Sequence, residues 1–169
     1  PYNEFDDVNP VGLFAKSKYA GEKFVIQLMT RYVIIRSSWI YGIGKDFLNE
    51  VLEAAADPKV STMELWNNDR AVPTSAAELA RVVKFFIDND HYGIYHAVCS
   101  GGSCTRLEFA KEILRLAGKE DRLTVKVKDG TPEKYSVLDN MMLRLTGIEE
   151  PSGWRETLAS YMKETGGLE

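Results

Sequence analysis

Between Ser17 and Arg31 the apolar residues Tyr19, Ala20, Phe24, Val25, Ile26 and Leu28 recur with a mostly helical period, and from Tyr32 to Ile40 the pattern becomes that of a strand. Phe47 to Ala56 predicts a second helix, stopped by Asp57-Pro58. Met63-Glu64-Leu65-Trp66 predicts a strand ending in the polar turn Asn67-Asn68-Asp69. Ser75 stands at the N-cap of a helix to about Asn89, with Glu78 in the capping-box place. Thr105 and Glu108 repeat that arrangement for a helix to Ala117, ended by Gly118. Gly93 to Val98 reads as a short strand and Val125-Lys126-Val127 as an edge strand. Leu138 to Leu145 and Ser152 to Glu164 predict two further helices, with Gly147 and Pro151 between them. There are no repeats and no low-complexity linker, and the alternation fits an α/β arrangement with mixed strand directions.

Composition narrows the class of protein without naming it. With 169 residues, 44% hydrophobic, the chain is long enough for one sizeable core. Net charge is −4 and basic residues are scattered among acids, so no nucleic-acid partner is expected. No apolar run approaches the roughly 18 residues of a membrane span and no signal-peptide pattern is seen, so no membrane partner and a cytoplasmic location are expected. Cys99 and Cys104 flank Ser100-Gly101-Gly102-Ser103 without histidines at ligand spacing, which predicts free thiols rather than zinc ligands or a disulfide. His91 reads as a surface residue and His96 as a packed strand residue.

Candidate chemistry begins with Phe14-Ala15-Lys16-Ser17-Lys18. Four residues separate Phe14 from Lys18, which places both side chains on one helix face, about 5–6 Å apart at Cβ. A tyrosine at the first position would hold its phenol beside an ammonium that favours phenolate. A pKa of about 10 would then move toward the range in which the group can protonate a carbonyl receiving hydride. Phe14 has no such proton. Around this pair stand Pro1-Tyr2-Asn3-Glu4, Asn9-Pro10, Gly21-Glu22 and the run from Tyr32 to Gly42 that includes Ser37-Ser38-Trp39-Ile40-Tyr41. Gly44-Lys45-Asp46-Phe47, Pro73-Thr74-Ser75, Glu78-Leu79-Ala80 and Gly93-Ile94-Tyr95-His96 follow. Glu108 to Ile113, Tyr135 to Asn140 and Trp154 to Leu158 complete the series. In this order, over roughly Pro1 to Met162, these segments closely resemble the dTDP-4-dehydrorhamnose reductases, extended short-chain dehydrogenases acting on nucleotide-activated sugars.

The resemblance implies the C-terminal part of a Rossmann-like extended short-chain dehydrogenase together with its small substrate-binding domain. Residues 1–44 would be the end of the NAD(P)-binding Rossmann domain, with the Tyr/Lys helix and the strand after it. Residues 45–169 would be mainly the substrate-binding region. By the same resemblance Lys18 binds the nicotinamide ribose, Phe14 takes the place of the family's proton-donating Tyr, and Trp39 and Tyr41 meet sugar and nicotinamide unless they are simple core packing. Asp46 and Phe47 fall where the nucleotide-sugar is held, with Asp46 in place of the family's Asn, and Arg70 offers a bidentate phosphate contact. Pro73 and Thr74 shape that loop. Thr131-Pro132-Glu133-Lys134 lacks the Arg-Pro pair that the family carries before Tyr135. Tyr19 cannot replace the lost phenol, because it points about 100° away from Lys18 around the helix.

No Gly-rich turn of the dinucleotide-binding pattern is present: Gly101-Gly102 lacks the downstream glycine and Gly166-Gly167 stands at the C-terminus. A start at Pro1 fits a fragment. NADPH or NADH is therefore expected only in a complete enzyme, with no cofactor for this chain alone. A parallel strand expects neighbours and helices on both faces. A partner chain carrying the missing N-terminal half, a homodimer, or rearranged strands would each answer that. Two functions follow: a segment of an NADPH-dependent reductase of a dTDP-4-dehydro-6-deoxy-sugar in dTDP-rhamnose synthesis, inactive alone, or a non-catalytic nucleotide-sugar-binding or regulatory module of the same fold.

Overall fold

The computed structural model describes residues 1–128 and 134–166. Its helices are α1 (Gly12–Leu28), α2 (Phe47–Ala56), α3 (Ala76–Asp88), α4 (Arg106–Leu116), α5 (Met141–Leu145) and α6 (Trp154–Glu164). Its strands are β1 (Val33–Arg36), β2 (Ile40–Tyr41), β3 (Thr62–Leu65), β4 (Asp69–Ala71), β5 (Thr74–Ser75), β6 (Gly93–His96), β7 (Cys104–Thr105), β8 (Thr124–Val127) and β9 (Lys134–Tyr135). The departure carried by Thr131-Pro132-Glu133 lies outside the described residues, as do Gly167 to Glu169.

The predicted strand from Tyr32 to Ile40 is two strands in two sheets. β1 pairs in parallel with β6, Val33 opposite Gly93 and Arg36 opposite His96. Trp39 then takes a left-handed backbone, φ 35°, which turns the chain away, and β2 pairs in parallel with β5 instead. β3 and β8 form a further parallel pair, so Val125 to Val127 does lie at an edge. Asp69, expected in a turn, starts β4, which runs between antiparallel β7 and parallel β9. The mixed α/β arrangement is thus observed, built from several small sheets.

The two predicted capping boxes part ways. At α4, Thr105 accepts from the Glu108 amide while Glu108 accepts from the Thr105 amide. At α3, Ser75 gives no side-chain cap, and Glu78 is drawn away to the Ser152 amide and the Arg81 guanidinium. The helix expected from Leu138 begins only at Met141, because the Asn140 amide group makes both of its hydrogen bonds to the Val98 backbone and Leu138 bridges to Tyr2. At the first helix, α1 reaches back to Gly12, a turn earlier than the apolar period suggests.

Two apolar cores follow. The larger gathers Tyr41, Leu48, Val51, Phe109, Ile113, Trp154, Leu158 and Met162, where α2, α4 and α6 meet. The smaller joins Val33 and Ile35 of β1 to Val82, Phe86, Tyr95, Leu143 and Ile148. β1 therefore packs with segments as distant as Ile148.

α1 takes part in neither core. None of its residues is buried, and Ala15, Tyr19 and Glu22 alone are half-buried. It is tied to β1 by Glu22, which accepts from Arg36 Nε at 3.0 Å and Nη2 at 2.6 Å. Leu13, Phe14, Phe24 and Leu28 face outward.

Candidate functional site

Trp39 and Phe47 come together although eight positions and a change of direction separate them. What joins them is Arg106, the first residue of α4, whose guanidinium carbon lies 4.0 Å from the Trp39 ring centre and 4.6 Å from that of Phe47. Each of the two is a cation–π contact. Phe47 is backed in turn by Phe109 at 5.8 Å. Asp69 of β4 approaches from the side: its Oδ2 is 3.9 Å from Arg106 Nε, and its Oδ1 accepts the Arg106 backbone amide at 3.4 Å. Burial holds the Arg106 guanidinium below its ordinary range, with Asp69 opposing that shift. Arg70, next along β4, lies opposite Thr105 and reaches Glu108 at 3.7 Å. Trp39, Phe47 and Arg70 thus fall in one neighbourhood around the start of α4, at the mouth of the larger core.

Asp46 borders this neighbourhood, one residue before Phe47. It is the N-cap of α2, accepting from the Asn49 amide at 2.9 Å and from the Gly42 amide at 2.7 Å. Both carboxylate oxygens are engaged, so the charge that replaces a neutral Asn is spent on holding the turn that presents Phe47. Tyr41, expected against the cofactor, is 2% exposed inside the larger core. Its hydroxyl shares a 2.8 Å hydrogen bond with Thr157, and burial raises its pKa well above the ordinary phenol value. The reason is β2: pairing with β5 turns Ile40 outward and Tyr41 inward, since side chains alternate along a strand. Thr74 is fully buried and, with Pro73, shapes the turn into α3, as expected.

Phe14 and Lys18 form their own pair. The Lys18 ammonium sits 5.6 Å from the Phe14 ring centre, and Phe14 is 76% exposed. No hydrogen bond, ion pair or ring contact among the described residues links either side chain to Trp39, Phe47 or Arg70.

The Pro1-Tyr2-Asn3-Glu4 segment is a structural tether. Tyr2 exchanges backbone hydrogen bonds with Val137 and Asp139, and buried Glu4 accepts from the amides of His96 and Met142. Beside it opens a cleft of about 600 Å³, whose walls include Asp6, Asp7, Val11, Arg36, His96 and Tyr135. None of the predicted site residues lines it. His96 is buried as expected, its Nδ1 within 3.2 Å of two carbonyl oxygens. His91 packs on Phe85 at 5.3 Å and is half-buried. Cys99 and Cys104 are free and buried, and burial pushes the Cys104 thiol up to about 12. No group of three or more His, Cys, Asp or Glu among the described residues is placed to hold a metal ion. No helix among them is long and apolar enough to cross a membrane.

Arg106 is the residue of this cluster that sequence reading missed. It carries no periodic signal, being one polar residue at the first position of a helix, and its partners lie 67 and 59 positions away along the chain.

A parallel strand pair flanked by helices, joined to small mixed sheets that carry an aromatic and cationic cluster, defines an α/β protein. The chain belongs to the RmlD substrate binding domain family, which it matches over residues 1–166. A solved dTDP-4-dehydrorhamnose reductase from Clostridium acetobutylicum is 36% identical with a TM-score of 0.88, over 98% of this chain and 60% of that one. A second, from Bacillus anthracis in complex with NADP, is 32% identical with a TM-score of 0.89, over 97% of this chain and 59% of that one. The spore coat polysaccharide biosynthesis protein SpsK of Bacillus subtilis is 34% identical over 97% of this chain and 58% of that protein. The chain therefore spans less than two thirds of the length of these relatives, and the fold and family expected from the ordered motifs are confirmed.

Proposed function

We propose that this chain is the substrate-binding part of an NADPH-dependent reductase acting on a dTDP-4-dehydro-6-deoxy-sugar, in a cytoplasmic pathway to dTDP-rhamnose. The observation that carries this reading is the match to the NADP-complexed reductase at a TM-score of 0.89 over 97% of the chain. Residues 1–44 contribute the Tyr/Lys helix and its following strand, and most of residues 45–169 contribute substrate contacts. In this reading Lys18 reaches the nicotinamide ribose, Trp39 the sugar, and Phe47 and Arg70 the nucleotide end, with Asp46 and Tyr41 holding those positions from behind.

NADPH would supply hydride to the 4-keto carbon. The residues present do not hold it by themselves: the chain has no Gly-rich turn for the pyrophosphate and offers Lys18 as one contact. The outward face of α1 and the second edge of β1 are where a dinucleotide-binding segment, of this polypeptide or another, would lie. A second reading is favoured by one observation. With Phe14 beside Lys18 the helix carries no acid where the reaction needs one, as in a module that binds nucleotide-sugar without reducing it.

Titration of the 169-residue chain with dTDP and, separately, with NADPH tests the proposal. Saturable binding of dTDP without saturable binding of NADPH is the expected result. Micromolar NADPH affinity, about −8 kcal/mol, would show a cofactor site within this chain and sink the assignment of roles, and no dTDP binding at all would sink both readings.

A further inference from the structure

We infer that Arg106 is the diphosphate-binding residue of this site, held against Trp39 and Phe47 so that its guanidinium N–H groups meet the phosphate oxygens of the nucleotide-sugar. The inference rests on the reading above and adds to it a residue that the ordered motifs do not contain.

Several arginines of this chain donate to carboxylates. Arg36 donates to Glu22 at 2.6 and 3.0 Å, Arg115 to Glu112 at 2.7 and 2.9 Å, and Arg144 to Asp139 and Glu150 at 2.7 and 3.1 Å. Arg106 differs. Its side chain is 27% exposed, yet none of its guanidinium N–H groups donates a hydrogen bond among the described residues. Asp69, its ion-pair partner, stands at 3.9 Å from Nε, beyond hydrogen-bond reach. The two rings contact the cation but offer its in-plane donors no acceptor, so those donors stay open to a ligand or to water. Burial disfavours the charged form more than Asp69 restores it.

Such an arrangement makes sense as pre-organisation. The planar fork of five donors is held at a fixed orientation and suits bidentate contact with a phosphate. Trp39 is kept against it by a left-handed backbone that a bulky side chain rarely adopts, and strain of that kind gathers at ligand-holding positions. Arg70 lies opposite Thr105, the residue before Arg106, so a second cation stands on the neighbouring strand. A dianionic or trianionic group fits two cations so placed better than a neutral sugar does.

The test compares wild type, Arg106→Gln, Arg106→Lys and Asp69→Asn, titrated with dTDP, thymidine and inorganic pyrophosphate. Binding is followed by calorimetry and by the indole N–H resonance of Trp39, and amide spectra check that each variant is folded. Arg106→Gln is expected to weaken dTDP by about 10- to 100-fold, as for loss of a hydrogen bond to a charged group, while thymidine is unaffected. Arg106→Lys should recover only part of the loss. Asp69→Asn removes the competing carboxylate without touching the stack and should tighten dTDP; weakening would count against the inference. If Arg106→Gln binds dTDP as wild type does, Arg106 is not the contact, although the nucleotide-sugar reading stands. If pyrophosphate binds in an Arg106-dependent way and dTDP binds no tighter, the residue assignment stands and the nucleotide reading falls. If wild type binds neither, both fall.

Discussion

Side chains four apart on a helix are neighbours whatever the rest of the fold does, which is why Phe14 and Lys18 could be paired from sequence and are found paired, 5.6 Å apart. The same locality sets the first prediction. In an enzyme completed by a dinucleotide-binding segment, Phe14→Tyr should raise NADPH-dependent 4-keto reduction by about 10²-fold or more, because it places an acid beside Lys18. The ring is exposed, so the added hydroxyl meets no packing obstacle. Lys18→Ala in that background should then remove most of the gain; equal rates with and without the Phe14→Tyr change would assign the proton to another donor. Arg106 marks the limit of such reading, since its meaning comes wholly from residues remote in sequence. Tyr41 marks another: the Ser-Trp-Ile-Tyr-Gly run was legible as a motif, but which of its rings turns inward depended on the register of β2 with β5.

His96 carries the second prediction at this scale. Burial outweighs the nearby Glu4 carboxylate and lowers its pKa below the ordinary value of 6.5, so the unfolded chain takes up the proton first on acidification. The stability that neutral His96 contributes is therefore complete above the unfolded value and is lost as pH falls from there through the lowered folded value. Urea midpoints measured from about pH 7.5 down to about pH 5 should fall, and His96→Gln should flatten that slope. A midpoint that rises on acidification over this range would contradict the assignment of a buried neutral imidazole.

Among elements, those with a single strong period and a local cap were legible, as α2 and α4 show: α2 spans Phe47–Ala56 as predicted, and α4 begins with its capping box. Short strands were not. β4, β5, β7 and β9 are two or three residues long, too short for alternation to register, and exist because neighbours supply their hydrogen bonds. α1 shows the opposite case, a helix with a clear apolar pattern and no buried residue. Its hold on the rest of the chain falls largely to the Glu22–Arg36 pair, in which both side chains are less than a fifth exposed. Glu22→Ala should cost about 1.5–3 kcal/mol, the range for hydrogen bonds to charged groups. More tellingly, it should speed amide exchange along α1 while leaving α4 protected. Uniform loss of protection in both helices would mean that α1 is part of the cooperative core after all.

At the scale of the whole molecule, the apolar pattern of α1 and the exposure of its side chains can be reconciled only by something outside the described packing. Leu13 is 86% exposed, Phe24 63% and Leu28 77%, on one helix, beside a strand that is hydrogen-bonded to β6 alone among the described residues. An uncovered parallel edge with an apolar face is an aggregation hazard. Two occupants fit: the dinucleotide-binding segment of the proposed reductase, or a second copy of this chain. They make different predictions for the 169-residue polypeptide on its own. Without the segment, the chain should self-associate through α1, giving a dimer or larger species in light scattering whose mass falls toward the monomer on Leu13→Lys combined with Phe24→Lys. These changes sit on the exposed face and should leave both cores folded. When a dinucleotide-binding segment is supplied in excess, a one-to-one complex should replace the homomer, since both claim the same face. A stable monomer at high concentration, unchanged by either substitution, would mean that the face of α1 needs no cover, and the case for a second structural half would then rest on the relatives alone.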